Sequence, residues 1–262
     1  MGSIDLNLLS LGFVFVLIGI PLALDLIFKF GLTKNILQSV LRMSVQLLLI
    51  GIFLRYLFLW NNPWINVSWF LIMVITSVFS VVKNTPLRLK TIFFPLFLAF
   101  VLPTFFLVIY LNFLVLHLKH IFDARYFIIL AGMLLGNCLR SNIIALSSVY
   151  NQIKSYPKKY LYLLSLGAST YEAILPYLTE SVGLAVKPFL ATMATMGIVA
   201  LPGMMTGVIL GGASPEIAVK YQIMIMFAIL SNGLLAVVLG ILFTLKSCFD
   251  DFGCLKNQVF KS

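Results

Sequence analysis

Residues 221–245, YQIMIMFAILSNGLLAVVLGILFTL, carry no charged side chain over 25 positions. As a helix rising about 1.5 Å per residue, the run reaches ~37 Å and crosses the roughly 30 Å hydrocarbon core of a bilayer. Helix is the required form, because an isolated strand in lipid leaves its amides and carbonyls unpaired. Working outward, residues 6–28, 36–59, 64–82, 92–116, 126–149 and 188–210 are further apolar runs bounded by charges or turn residues. The chain therefore reads as an all-α, polytopic membrane helical bundle of about seven transmembrane helices, one domain over 1–262.

Composition supports this reading. Of the 262 residues 61% are hydrophobic and 10% charged, whereas soluble domains hold about 45–50% apolar residues. Residues 6–28 read as a retained helix rather than a cleaved signal, since Asp5 stands where a basic leader is needed and no small-residue cleavage site follows. Cys138, Cys248 and Cys254 form no disulfide framework.

Orientation follows from the cations. Loops on the side of the first connection hold twelve Lys and Arg, and the opposite side holds four, namely Arg55, Lys119, Arg125 and Lys220. The excess marks the cytoplasm, with the N-terminus outside and the C-terminus cytoplasmic. Trp60, Trp64 and Trp69 on the outer side fit an interfacial belt. The net charge of +10 is thereby spread over loops rather than gathered on one face, which excludes nucleic acid as the partner. The absence of an organelle presequence points to the inner (plasma) membrane of a bacterium.

One connection is long. Residues 150–187 place Leu161, Leu164, Ala168, Tyr171 and Leu175 at helical spacing, with Gly167 as a break between two short helices. Such a hairpin is larger than a connector needs to be and is suited to contact something in the cytoplasm.

Within it, residues 166–173, LGASTYEA, resemble the cytoplasmic coupling loop of ABC-transporter permeases. Residues 201–207, LPGMMTG, together with GGASP at 211–215 and YQI at 221–223, resemble the FetB-type permease family. That family includes bacterial iron exporters and plant aluminium-tolerance half-transporters. Arg42 and Gln46, in RMSVQL at 42–47, stand at the spacing of that family's Arg and Gln. Val208 departs from the pattern, which has Gln there.

The resemblance implies a permease subunit that pairs as a homodimer and docks a separate ABC ATPase through Leu166, Gly167, Ala168, Ser169, Glu172 and Ala173. It also implies export of a metal ion, iron foremost, or of a small polar solute by alternating access. Glu172 is either a contact to the ATPase or a solvated helical charge. No Gly-x4-Gly-Lys-Ser/Thr occurs in the chain. ATP and Mg are expected on the partner, with no cofactor or catalytic residue here.

The polar residues within apolar runs have their own reading. An ionisable side chain at mid-bilayer costs about 2.5–3.5 kcal/mol and needs protein or water around it. Asp25 and Arg42 either pair with one another or snorkel separately to the surface. Asn137, Arg140 and Asn142 follow Gly132 and Gly136, and either bond between helices or line a path. Arg140 repels a bare metal cation and suits an anionic or chelated substrate. In the run 188–210, Pro202 deprives the Ile198 carbonyl of its helical partner, so Pro202, Gly203, Met204, Met205, Thr206 and Gly207 read as a hinge along the transport path. The thioethers of Met193, Met196, Met204 and Met205 suit packing better than iron. His117 and His120, with Asp123 near, form either an outer metal site or a solvated interface.

A gradient-driven secondary transporter or channel is the rival function. It needs a carboxylate inside the membrane, and Asp25 is the acid well inside a run.

Overall fold

The computed structural model describes residues 8–199, 201–250 and 253–261. Ten α-helices follow in order among them: α1 Leu8–Val16, α2 Gly19–Phe28, α3 Thr33–Trp60, α4 Pro63–Lys83, α5 Leu89–Tyr110, α6 Ala124–Ser155, α7 Pro157–Ser165, α8 Thr170–Thr195, α9 Gly203–Leu210 and α10 Pro215–Cys248. A π-helical turn, Leu111–Val115, extends α5. Among the described residues five helices are long and apolar enough to cross a membrane: α3, α4, α5 with its π turn, α6 and α10. The protein is a helical membrane bundle.

Two of the expected runs are divided. Over 6–28, the described part forms α1 and α2 with a turn between them. Pro21 has no N–H for the Leu17 carbonyl, which instead accepts from Ile20 N at 3.3 Å, and the tighter turn breaks the helix. The run 188–210 is divided between α8 and α9.

The core is built from α4, α5, α6 and α10, with α8 against α6 and α10. Phe70, Phe105, Phe122 and Phe127 form an aromatic cluster, with Phe122 and Phe127 centroids 5.4 Å apart. Between helices the contacts include polar clasps. Thr104 Oγ1 donates to Asn232 Oδ1 at 3.1 Å, while Asn232 Nδ2 donates to Leu134 O at 3.2 Å, which ties α5, α10 and α6 together. Tyr150 OH donates to Thr244 Oγ1 at 2.7 Å between α6 and α10, nearer their C-terminal ends.

The connections sort to two ends. At one, Asn61 Oδ1 accepts from Ala124 N at 2.8 Å and Asn66 Nδ2 donates to Phe122 O at 2.8 Å, joining the end of α3 and the start of α4 to the start of α6. At the other, Arg88 N donates to Val259 O at 2.7 Å and Tyr160 OH donates to Gly253 O at 2.8 Å. The Lys261 ammonium donates to the carbonyls of Val82, Lys83 and Thr85 and closes the C-terminus of α4. The C-terminal tail thus binds the α4–α5 loop and α7 at the basic end.

α3 is the exception to this packing. Leu57 is its buried residue, the Phe53 ring lies tilted against Trp69 with centroids 4.2 Å apart, and Arg42 and Gln46 are exposed. The helix touches the bundle near its end and stands away over the rest.

Close approach of α6 and α10 depends on Gly240, where an added Cβ comes 2.6 Å from Asn142 Oδ1. Asn142 is fully buried and cannot swing into solvent. Gly240→Ala should therefore destabilise the protein by about 1–3 kcal/mol, the usual cost of overpacking. Thermal unfolding in detergent checks this: the midpoint falls in Gly240→Ala and recovers in part when Asn142→Ala is added.

Candidate functional site

The break between α8 and α9 begins at glycine. α8 stops at Thr195, Met196 N donates to Met193 O at 3.3 Å, and Gly197 takes φ +86°, a conformation costly for any side chain. Ile198 N and Val199 N both donate to Thr195 O, at 3.3 and 3.0 Å, forming a turn rather than a helix. α9 then starts at Gly203 directly after Pro202, whose carbonyl accepts from Thr206 N at 3.0 Å and from Thr206 Oγ1 at 3.1 Å. The interruption expected at Pro202 is a full break that starts earlier in the chain: the helix ends at Thr195, and Pro202 opens the next one, where its missing N–H costs no helical bond.

A cavity of ≈ 490 Å³ lies beside this break, between α6, α8, α9 and α10. Asn137, Arg140, Ser141, Thr192 and Gln222 supply its polar lining. Met133, Met196, Met204 and Met226 supply thioethers. Gln222 is 7% exposed, its Nε2 approaches Met196 Sδ at 3.9 Å, and its Oε1 is buried without a partner. Among the described residues, Arg140 is the one charged residue of the lining.

The predicted polar positions separate. Asn137 and Arg140 line the cavity, with Asn137 Nδ2 donating to Met133 O at 2.9 Å. Asn142 faces α10 at the Gly240 contact and donates to Cys138 O at 3.0 Å. Pro202, Gly203 and Met204 line the cavity, whereas Met205, Thr206 and Gly207 are on α9 outside its lining. Cys138 and Cys248 are buried free thiols.

The Asp25–Arg42 ion pair is not formed. The Asp25 carboxylate accepts from Leu32 N at 2.9 Å, Thr33 N at 2.6 Å and the Thr33 hydroxyl, so it satisfies the amides that open α3. Asp123 is likewise spent on a helix start: Oδ1 accepts from Arg125 N at 3.0 Å and Oδ2 from Asn61 Nδ2 at 3.2 Å. Among the described residues no group of three His, Cys, Asp or Glu can hold a metal ion, His117 and His120 included.

The tip of the α7–α8 hairpin is well defined. Gly167 has φ +88°, and Gly167 N and Ala168 N donate back to Leu164 O and Leu163 O at 3.0 and 3.2 Å, closing α7. Ser169 and Glu172 form a capping box: Ser169 N and Oγ donate to Glu172 Oε2 at 2.8 and 2.7 Å, and Glu172 N donates to Ser169 Oγ at 3.3 Å. Leu166 and Tyr171 are exposed at the tip, at 66% and 54%, while Ala173 is buried. The expected second short helix is in fact the 26-residue α8, which continues to the break. The Ser-x-x-Glu spacing was the available signal for this cap, and Tyr171, counted with the apolar stripe of the hairpin, is exposed instead.

Comparison with known proteins agrees with the fold. The Uncharacterised protein family (UPF0014) matches residues 8–249. The chain belongs to this family. It is 32% identical over 250 residues to the "UPF0014 membrane protein YjkA" of Bacillus subtilis (strain 168), covering 95% of this chain and 98% of the relative. It is 30% identical to the "Probable iron export permease protein FetB" of Escherichia coli (strain K12), covering 95% of each chain. Against "Protein ALUMINUM SENSITIVE 3" of Arabidopsis thaliana it is 30% identical, covering 88% of this chain and 84% of the relative. No solved structure matches the chain.

The Ser169 hydroxyl, then the Ser169 amide, hold the Glu172 carboxyl below its ordinary range. A lowered folded value means the capping box contributes above the unfolded glutamate value and is lost as pH falls through the folded one. Amide hydrogen exchange, corrected for intrinsic rates, should show falling protection at Glu172 and Ala173 over that window. Glu172→Gln should retain the turn and abolish the pH dependence.

Proposed function

We propose that this chain is the membrane-spanning permease subunit of an ABC transporter, exporting a metal ion, with iron the leading candidate, through the cavity at the α8–α9 break. The observation that carries the reading is the continuity of α8. One helix of 26 residues joins the capped hairpin tip at Ser169 to the cavity wall at Thr192, a rod of about 39 Å. A push at the tip is delivered to the place where the helix stops.

The partner reading draws on two supports. The relatives include one named an iron export permease, and the tip presents Leu166 and Tyr171 outward from the basic end, which the cation bias assigns to the cytoplasm. A separate ATPase holds ATP and Mg, and closure of two such subunits drives alternating access. This chain hydrolyses nothing itself. Pro176 and Pro188 within α8 remove hydrogen bonds where such a rod bends. A gradient-driven carrier is less well supported, because Asp25 caps α3 and the cavity lining holds no carboxylate among the described residues. The setting is the inner membrane.

Two copies form the transport unit. Arg42 and Gln46 are exposed within an α3 span whose window is 0% buried by its own chain, and lipid is a costly neighbour for them. Gly136 and Arg140 are likewise exposed on α6, where a Cβ added at Gly136 meets nothing within 4 Å. Measured from the Asn61–Ala124 contact at about 1.5 Å per residue, Gln46 and Asn137 both lie ~20 Å deep. A two-fold axis covers both surfaces with one reciprocal contact.

Two measurements check this. Co-expressed with a P-loop ATPase and reconstituted, the chain should accumulate 55Fe in inside-out proteoliposomes when ATP is supplied. Gly167→Val, strained at φ +88°, should reduce that accumulation at least tenfold; ATP-independent accumulation sinks the proposal. For the pair, Gln46→Cys and Gly136→Cys on separate chains should cross-link between copies, and a monomeric, uncross-linked chain would contradict it.

A further inference from the structure

We infer that the ligand of the α6–α8–α9–α10 cavity is an oxyanion, so that a metal enters it held in an anionic oxygen chelate of the polycarboxylate type. This rests on the reading of the cavity as the transport path and names the chemistry of what passes. The cavity's charged residue is a guanidinium, Arg140, and among the described residues its lining contains no Asp, Glu, His or Cys. A bare divalent cation would meet a positive charge and find no anionic ligand to balance its own. Thioethers hold soft ions such as Cu(I) and are poor ligands for iron. The planar guanidinium, by contrast, matches a carboxylate with two parallel hydrogen bonds.

Gln222 gives a second, independent indication. Its side chain is more than nine-tenths buried, lines the cavity and leaves Oε1 without a partner. A buried acceptor of this kind requires a donor, and a chelate hydroxyl or a water on the metal supplies one. The room also fits. At ≈ 490 Å³ the cavity lies within the roughly 300–1,000 Å³ of pockets for small organic ligands, and a lone ion would leave most of it to water against Met133, Ile225 and Met226. Cation at one wall, orphaned acceptor at another and apolar floor describe a small, hydroxylated, negatively charged organic molecule.

Equilibrium dialysis of the full chain in lipid nanodiscs tests this with three probes: 55Fe(III) in excess [14C]citrate, [14C]citrate alone, and 55Fe(II) alone under nitrogen. Ferric citrate should bind with both labels retained. Arg140→Gln should weaken binding at least tenfold and Arg140→Lys by less, while Phe106→Ala, on α5 outside the cavity lining, should leave it unchanged. Each variant is first shown to be monodisperse, with an unaltered unfolding midpoint. Binding of 55Fe(II) without citrate, equal or tighter in Arg140→Gln, overturns the inference, as does absence of binding by both citrate probes. Citrate bound equally with and without iron, and dependent on Arg140, upholds the oxyanion and removes iron from the proposed function.

Discussion

A backbone amide in hydrocarbon has no water to bond, and each unpaired group costs several kcal/mol. The rest of the structure answers to that constraint. Long uninterrupted helices satisfy it wherever the chain crosses lipid, and α10 does so over 34 residues. Where the chain departs from helix, between Thr195 and Gly203, the departure lies beside a cavity with polar lining rather than in the midst of the core. Gly197 makes the departure possible and Pro202 fixes where helix resumes. The break is tolerated because it borders a cavity, which is why the site and the irregular backbone coincide.

The same economy governs the side chains. Some of the core asparagine, threonine and tyrosine side chains are paired across helices, namely the Thr104–Asn232–Leu134 chain and the Tyr150–Thr244 bond. These clasps hold α5, α6 and α10 as a rigid block. α8 is attached more lightly, with Ser181 Oγ donating to Ser148 Oγ at 2.8 Å as one polar link to α6. A rigid block beside a long, proline-containing helix is an arrangement in which one element can shift while the other stays.

Much of this was legible in the sequence. Apolar runs bounded by charge predicted α3, α4, α5, α6 and α10, because span length is set by the bilayer and shows in composition alone. The glycine at 167 and the interruption near Pro202 were also visible, since both residues act through local backbone geometry. What escaped depended on distance or on partners. The extent of α8 escaped because Glu172, Glu180 and Lys187 make its first two-thirds read as a separate short helix outside the membrane, whereas it runs on without a gap into the next apolar run. The partner of Asp25 escaped because a carboxylate near an arginine suggests an ion pair, whereas the nearer demand was three donors at the start of α3. The meeting of Arg140 with Gln222 across the cavity is a tertiary fact, carried by no spacing within either helix.

The account stands or falls on whether water and solute reach the α8–α9 break. Its most direct test is labelling by a membrane-impermeant maleimide of single cysteines placed at Thr192 and Met204, with Leu102→Cys as the lipid-facing control, in a chain freed of its three native cysteines. The account predicts that Thr192→Cys and Met204→Cys react and Leu102→Cys does not, with the reactive side of the membrane changing when the partner ATPase binds nucleotide. Protection of both cavity positions from either side, equal to that of Leu102→Cys, would contradict it.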